Sequence, residues 1–368
     1  MTTVLVRDLA LEHWPSMDRY AEALASRISG AVVPDEWRMG GPRYVARYWR
    51  YPRALRRYRG DVVHVLDHSY AHCLRAFPGV PSVVTVHDLH PLRVLAEGDR
   101  GPKGLVRNWL LRRVLGWVVG ADRIIVSTGF TAHELELHLG VSPDRIRVVP
   151  YGVDPGFFRH PGEAAVAERR AGWARALGRD GGPAHIVLHV GNCTPRKNVE
   201  AAIEAVGLLR ARGLDAALVQ IGGTLSPRQQ RAVRAAGIER RVVQEPAVSE
   251  DALVAAYHSA DVLVLPSTFE GFGLPAVEAM AAGLPVVTSG AGGLREAVGD
   301  GAVVTGSLGG GPLAEALAAL FGDTARRADL IAKGRARATT LTWDAVADAT
   351  RAVHDEVRLA RPTLGRRA

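Results

Sequence analysis

The feature that most constrains the fold of this chain is a repeated alternation. Short β-branched and aliphatic runs are separated by longer stretches with helical spacing. In the first half the runs are Thr3–Arg7, Asp61–Leu66, Ser82–His87, Arg123–Ser127 and Arg145–Pro150. In the second half they are His185–Val190, Ala217–Ile221, Arg241–Gln244, Asp261–Pro266, Pro285–Ser289 and Ala302–Thr305. Helix-like stretches lie between them, among them Met17–Ile28, Val199–Arg212, Glu250–Ser259 and Ala276–Ala282. Near-continuous apolar runs that alternate with helices belong to parallel strands covered on both faces. Two such series predict an α/β chain of two Rossmann-like, doubly wound domains. The length of 368 residues suits two domains, and 47% apolar residues can fill two cores.

The join is expected between Tyr151 and Pro183, where Pro155, Pro161 and the glycine-rich Gly178–Pro183 interrupt regular structure. The expected domains are 1–160 and 183–340, followed by a segment over 341–368. Within that segment, Thr342–Leu359 reads as a helix with Trp343, Val346, Val353 and Val357 on or near one face, expected to return toward the first domain. Arg361–Ala368 reads as a frayed end. Two domains of this type are expected to face each other across a cleft. Ligands of such sheets bind outside the carboxyl ends of the strands, so chemistry-bearing residues should follow strands directly.

Several classes are disfavoured. No apolar run approaches the ~20 residues that span a bilayer. The first residues, MTTVLVRDLALEHW, lack the basic start, long apolar stretch and cleavage site of a secretory signal. Cys73 and Cys193 form neither a disulfide framework nor a metal motif. A cytoplasmic location is expected.

The segment after Asp261–Pro266 carries the strongest chemical signal. It reads Ser267-Thr268-Phe269-Glu270-Gly271-Phe272-Gly273-Leu274-Pro275 and runs into the helical AVEAMAAG. Pro275 suits the first helical position, and Gly271 and Gly273 permit close ligand approach. The unpaired N–H groups of such a helix start bind anions. Glu278, read as lying in the first helical turn, and Glu270 would repel a phosphate, so they are expected to accept hydrogen bonds from sugar or ribose hydroxyls beside it. Glu278 has a plainer reading as a charge that stabilises the helix start.

Glu270-GFGLPAV-Glu278 resembles the E-x7-E motif of retaining GT-B glycosyltransferases, in particular glycosyltransferase family 4. Five further regions resemble that family's landmarks in the same order along the chain: Val86–Leu89, Pro150–Asp154, Val190–Asn198, the strand Ala260–Ser267 that leads into the motif, and Gly290–Glu296. The resemblance implies a metal-independent transferase without a cofactor, whose partners are a nucleotide-sugar donor and an acceptor hydroxyl. It assigns Arg196 and Lys197 to the donor diphosphate, where cations stabilise charge on the departing phosphate. Glu278 falls to the ribose, Glu270 to the donor sugar, and Gly191, Asn192 and the backbone of Phe272, Gly273 and Leu274 to further donor contacts. The base would meet Glu245–Val248. Other readings are a non-catalytic sugar-binding subunit and a sugar-nucleotide epimerase of the same architecture. A dinucleotide oxidoreductase is disfavoured because no GxGxxG follows the first strand.

On the acceptor side, His87 ends a strand and could position the donor sugar or steer the acceptor proton. Its plainer alternative is a buried histidine bonded to backbone. Asp88 would brace the turn. His68, Tyr70 and His72 follow another strand and could line the acceptor pocket. His68 and His72 have the spacing of a metal pair, but no third ligand is evident and no metal is expected. The family's glycine-rich first loop is replaced here by Asp8–Met17, which has no glycine, and Ser16 is the substitute candidate.

Net charge is +8, of which residues 1–150 contribute +6, from 21 Lys+Arg against 15 Asp+Glu. Arg43–Arg59 alone holds seven arginines, five aromatics and no acid. Such a stretch suits an anionic membrane surface or an anionic acceptor, or is simply a charged face. Pro52 is expected to interrupt a single helix there. Trp109, Leu110 and Leu111, beside Arg112 and Arg113, either extend the same face or belong to the core. No nucleic-acid motif accompanies the charge, so nucleic acid is not an expected partner.

Overall fold

The computed structural model describes residues 1–90, 102–178 and 182–360. The frayed end expected at Arg361–Ala368 lies outside them. The chain divides into two compact units, Met1–Gly152 with the segment from Trp343, and Val153–Thr342.

The first unit is built on strands β1 (Thr3–Val6), β2 (Ala31–Val32), β3 (Val62–Val65), β4 (Ser82–Val86), β5 (Arg123–Val126) and β6 (Ile146–Val148). They form one parallel sheet in the order β2-β1-β3-β4-β5-β6. β1, β3 and β4 are buried along their whole length, as their largely apolar sequences favour, with Thr3, His64, Ser82 and Thr85 as the buried polar positions. β2 escaped the sequence reading because its two residues are half-buried and carry no periodic signal. Order reverses between β1 and β3, and their register pairs Val6 with Val65. The helix Trp343–Ala360 packs on the helix Pro15–Arg27 and on β3, β4 and β5. It buries Trp343, Val346, Val353 and Val357. Glu356 accepts from Arg123 at 2.9 Å and Arg147 at 3.0 Å, and Arg27 pairs with Asp344 at 2.7 Å.

Pro52 does not break the helical path expected to stop there. Helical backbone runs from Arg43 to Leu55 through a π turn at Ala46–Arg50, and Pro52 sits at the second position of the α segment that follows. The wider turn accommodates the missing N–H and the ring.

The second unit carries β7 (His185–Val190), β8 (Ala216–Ile221), β9 (Val242–Glu245), β10 (Val262–Leu265), β11 (Val286–Thr288) and β12 (Val303–Val304). Its parallel sheet has the order β12-β11-β10-β7-β8-β9 and reverses between β7 and β10. The expected boundary near residue 160 moves to Gly152. The helix Glu163–Ala176, placed in the join by its flanking prolines and glycines, belongs to this unit. Arg169 and the Trp173 Nε1 (2.8 Å) both bind Glu245, and Arg170 donates to the Ser259 carbonyl at 2.7 Å. A parallel bridge between Val153 and Thr342 brings the ends of the unit together.

Candidate functional site

In the second unit, three loops converge at the carboxyl ends of the adjacent strands β7, β10 and β11. β7 leads into Gly191, and Asn192 Oδ1 closes the turn by accepting from the Thr194 hydroxyl at 2.7 Å. A short 3-10 turn, Pro195–Lys197, then presents the two cations. Asn198 gives the following helix no side-chain cap. Asn198 instead takes a left-handed conformation, and its amide donates to Pro266 O at 3.0 Å and Leu308 O at 2.8 Å. Thr268 N donates to Arg196 O at 2.8 Å, so the β7 turn and the β10 loop are stitched together.

Glu270 is the centre of this arrangement. Its carboxylate accepts from Lys197 Nζ at 2.6 Å, Arg196 Nη1 at 3.0 Å and the Ser267 hydroxyl at 2.8 Å. Burial alone would raise its pKa, but Lys197 and Arg196 outweigh burial and hold it below the usual glutamate range. The loop after β11 closes the other side. Gly293 N donates to Glu270 O at 2.8 Å, and a Cβ at Gly292 (φ +66°) would stand 2.3 Å from that same oxygen. Only glycine fits there.

The helix Leu274–Ala282 starts behind Gly273 (φ +98°), with Pro275 in its first turn and no side-chain cap. This helix start stands at the β7/β10 reversal, the place where doubly wound sheets bind ligands; Pro275 contributes no N–H there and Ala276 N donates back to Gly273 O at 2.9 Å. Glu278 lies in the second turn rather than the first, because the helix begins at Leu274. At that depth the helix dipole no longer accounts for a buried carboxylate. Glu278 is 4% exposed and accepts from the Tyr257 hydroxyl at 2.8 Å. Sequence reading missed Tyr257, which lies on an ordinary amphipathic helix and carries no motif. His189, buried on β7, is pushed down to a pKa of about 4 by burial and by Lys197.

In the first unit the sequence candidates separate. His87 Nε2 lies 2.7 Å from Leu66 O, and Nδ1 bonds the Tyr151 hydroxyl. Burial lowers its pKa despite Asp67, so it is a neutral histidine fixed by backbone and Tyr151. Asp88 accepts from His90 N at 3.0 Å and braces the turn. His68 stands beside it, with its ring 6.4 Å from that of His87 and Nδ1 3.7 Å from Asp67. Tyr70 and His72 are turned into the unit instead of lining an open pocket. The Tyr70 hydroxyl donates to Glu12 at 2.9 Å, and His72 Nε2 lies 2.9 Å from Arg47 O. They face inward because the segment His68–Ala76 is a buried 3-10 helix. Ser16 is exposed near the start of the helix Pro15–Arg27. In the glycine-free first loop, His13 takes a left-handed conformation (φ 54°), and the buried Glu12 anchors the loop to Tyr70, Arg43 and Arg47.

Asp8 was also missed as a candidate. β1 and β3 are in register, so Asp8 and Asp67 emerge side by side at the reversal point of the first sheet. Burial, then Asp67, raises Asp8 to a pKa of about 7. Among the described residues, no group of three His, Cys, Asp or Glu side chains is arranged to hold a metal ion.

Known proteins share this framework. The model of group 1 glycosyl transferases matches residues 176–337, and that of glycosyltransferase family 4 matches residues 11–157. A D-inositol 3-phosphate glycosyltransferase of Acidothermus cellulolyticus is 36% identical over 303 residues, 77% of this chain and 64% of that relative. Its namesake in Xylanimonas cellulosilytica is 35% identical over 77% of this chain and 68% of the relative. The chain thus spans just under two thirds of the first relative's length. Among solved structures, sucrose-phosphate synthase from Thermosynechococcus elongatus superposes with a TM-score of 0.77 at 21% identity, covering 98% of this chain and 100% of that one. Anabaena HepE, solved with UDP-glucose, gives 0.75 at 18% identity, covering 96% and 100%. With both units matched by family models and both sheets of the Rossmann-like GT-B type, the chain belongs to glycosyltransferase family 4 of the group 1 glycosyl transferases.

Proposed function

We propose that this protein transfers a sugar from a nucleoside-diphosphate sugar to an acceptor hydroxyl, with retention at the anomeric carbon and without a metal ion. The observation that carries this reading is the Arg196–Glu270–Lys197 cluster beside the start of the helix Leu274–Ala282. Glu270 engages one nitrogen of each cation, so the cluster keeps a net positive charge and spare N–H donors. A diphosphate is the ligand chemistry that matches two cations and a helix start together. The relatives named as D-inositol 3-phosphate glycosyltransferases and the UDP-glucose complex of HepE support the same class of donor and acceptor.

In the transfer, the acceptor oxygen forms its bond to the anomeric carbon on the face from which the diphosphate leaves. The bond from that carbon to the phosphate oxygen breaks with its electron pair going to the phosphate, and the acceptor proton passes to a phosphate oxygen. Arg196, Lys197 and the helix start stabilise the charge that grows on the leaving group. Glu270, kept ionised, holds the cations in place and accepts from a donor-sugar hydroxyl. Glu278, positioned by Tyr257, accepts from the ribose.

The test begins with UDP-sugars in calorimetry and a nucleotide-release assay. Glu278→Ala should weaken donor binding about tenfold, the loss of a hydrogen bond to a charged group. Lys197→Ala should lower turnover at least a hundredfold. Unchanged donor affinity in the first variant and unchanged turnover in the second would remove the proposed roles.

A further inference from the structure

Large apolar side chains are exposed unevenly over this protein. Tyr44, Val45 and Trp49 are 67%, 47% and 76% exposed on the helical segment Arg43–Leu55. Leu105, Trp109 and Trp117 are 61%, 55% and 38% exposed on the helix Pro102–Gly120. Every tryptophan among the exposed large apolar residues is on these two helices. Spacings of four define one outward row on each, Val45–Trp49–Arg53 and Leu105–Trp109–Arg113–Trp117. The Arg113 guanidinium lies over the Trp109 ring at 4.7 Å. The opposite sides are anchored, with Ala46, Tyr51 and Leu55 buried on the first helix and Val114, Leu115 and Val118 on the second. Both helices pack on the same segment, His68–Ala76.

The arginines of this segment differ in their partners. Glu12, wholly buried, binds Arg43 and Arg47, and Glu36 binds Arg57. Arg50, Arg53, Arg56 and Arg59 are exposed and pair with no carboxylate among the described residues. Of Arg43, Arg47 and Arg57, only Arg47 is turned inward, at 12% side-chain exposure, while Arg43 and Arg57 are exposed but paired. Arg50 and Arg59 donate to backbone carbonyls, so Arg50, Arg53, Arg56 and Arg59 keep their charge beside exposed tryptophan and tyrosine without a carboxylate partner among the described residues.

We propose that this face docks on a membrane surface that carries anionic lipid. Trp49, Tyr44 and Trp109 enter the headgroup region, and Arg50, Arg53, Arg56 and Arg59 lie against lipid phosphates. Amphipathic aromatic rings next to arginine are the side chains a lipid headgroup layer accommodates. A nucleic acid would use the arginines but leave Val45 and Leu105 without partners. A second copy of the chain would oppose one acid-free arginine cluster to another. Among the described residues no helix is long and apolar enough to cross a membrane, so the contact is peripheral. It is independent of the donor site.

Co-sedimentation of the full chain with phosphatidylcholine vesicles, with and without phosphatidylglycerol, tests this. Binding is expected only with phosphatidylglycerol and should fade at high salt. At about 1 kcal/mol per arginine, roughly fivefold each, the Arg53→Ser/Arg56→Ser double variant should bind about 25-fold more weakly. Trp49→Ser/Trp109→Ser should lose the blue shift of tryptophan emission on vesicles. Both variants alter exposed residues, and an unchanged melting curve verifies their fold. Equal binding to neutral vesicles, no binding to either, or full binding by the arginine variant would overturn the proposal. So would a solution dimer dissolved by the tryptophan variant, which would give the face to a second copy.

Discussion

At the scale of single residues, buried carboxylates carry most of what distinguishes this protein. Glu270 and Glu278 were legible from the spacing of their motif. Their different surroundings were not. One is ionised between two cations, and the other is held by a tyrosine from a different helix. Asp8 was not legible at all, because a lone aspartate after a strand is common and its environment comes from Asp67, fifty-nine positions away in the chain. Its folded pKa of about 7 lies above the ordinary 3.8. The folded state therefore holds this proton more tightly. That contribution to stability is complete below pH 3.8 and is lost as pH rises through 7. Asp8→Asn should accordingly stabilise the protein by about 1–3 kcal/mol at pH 8 and much less at pH 5. Denaturant titrations at the two pH values measure the difference, and an equal effect at both would contradict the assignment.

At the scale of elements, the helix Trp343–Ala360 shows how pattern and context divide the work. Its apolar stripe was readable from Trp343, Val346, Val353 and Val357. Its partner surface was not, nor was the polar contact inside that stripe. His354 Nε2 lies 3.0 Å from His64 Nδ1, and His64 Nε2 lies 2.8 Å from the Thr85 hydroxyl, which also meets Tyr20 at 3.0 Å. Burial lowers His354 to a pKa of about 4, against a nearby Asp355 that works the other way. Because the unfolded imidazole titrates near 6.5, the docked helix has its full stability above that pH. It loses up to about 3 kcal/mol as pH falls toward 4. His354→Gln should flatten the stability profile between pH 6.5 and 4 relative to the parent chain, as followed by thermal melts. An unaltered slope would assign the acid sensitivity to other buried histidines, such as His72 and His189.

For the whole molecule, the two series of strands became two units, but the boundaries follow contacts rather than punctuation. Prolines and glycines after Tyr151 mark an irregular segment without showing which core it joins. Trp173 and Arg169 settle that by binding Glu245 of the second unit. With Val153 and Thr342 bridged, residues 153–342 form a unit whose ends meet. Expressed alone, 153–342 should fold cooperatively and be stabilised by the donor nucleotide. Residues 1–152 alone should not fold stably. They lack the helix that buries four large side chains, each worth about 1.5–3 kcal/mol, which is comparable to the stability of a whole domain. Circular dichroism melts of the two fragments decide this, and a cooperative transition in 1–152 would contradict it.

What the sequence determined by itself is the class of fold and the place of the motif proposed to hold the donor. Buried parallel strands demand continuous apolar runs, and phosphate-binding turns demand glycine and a helix start at fixed spacing, so both are written locally. What only the tertiary structure decided is which ionisable groups meet. The Glu270 cluster, the Asp8–Asp67 pair, the His64–His354 contact and the pairing of Arg43 and Arg47 with Glu12 all join residues distant in the chain. Their charge states depend on burial and on partners, and these exist only once the sheets have set strands and helices side by side.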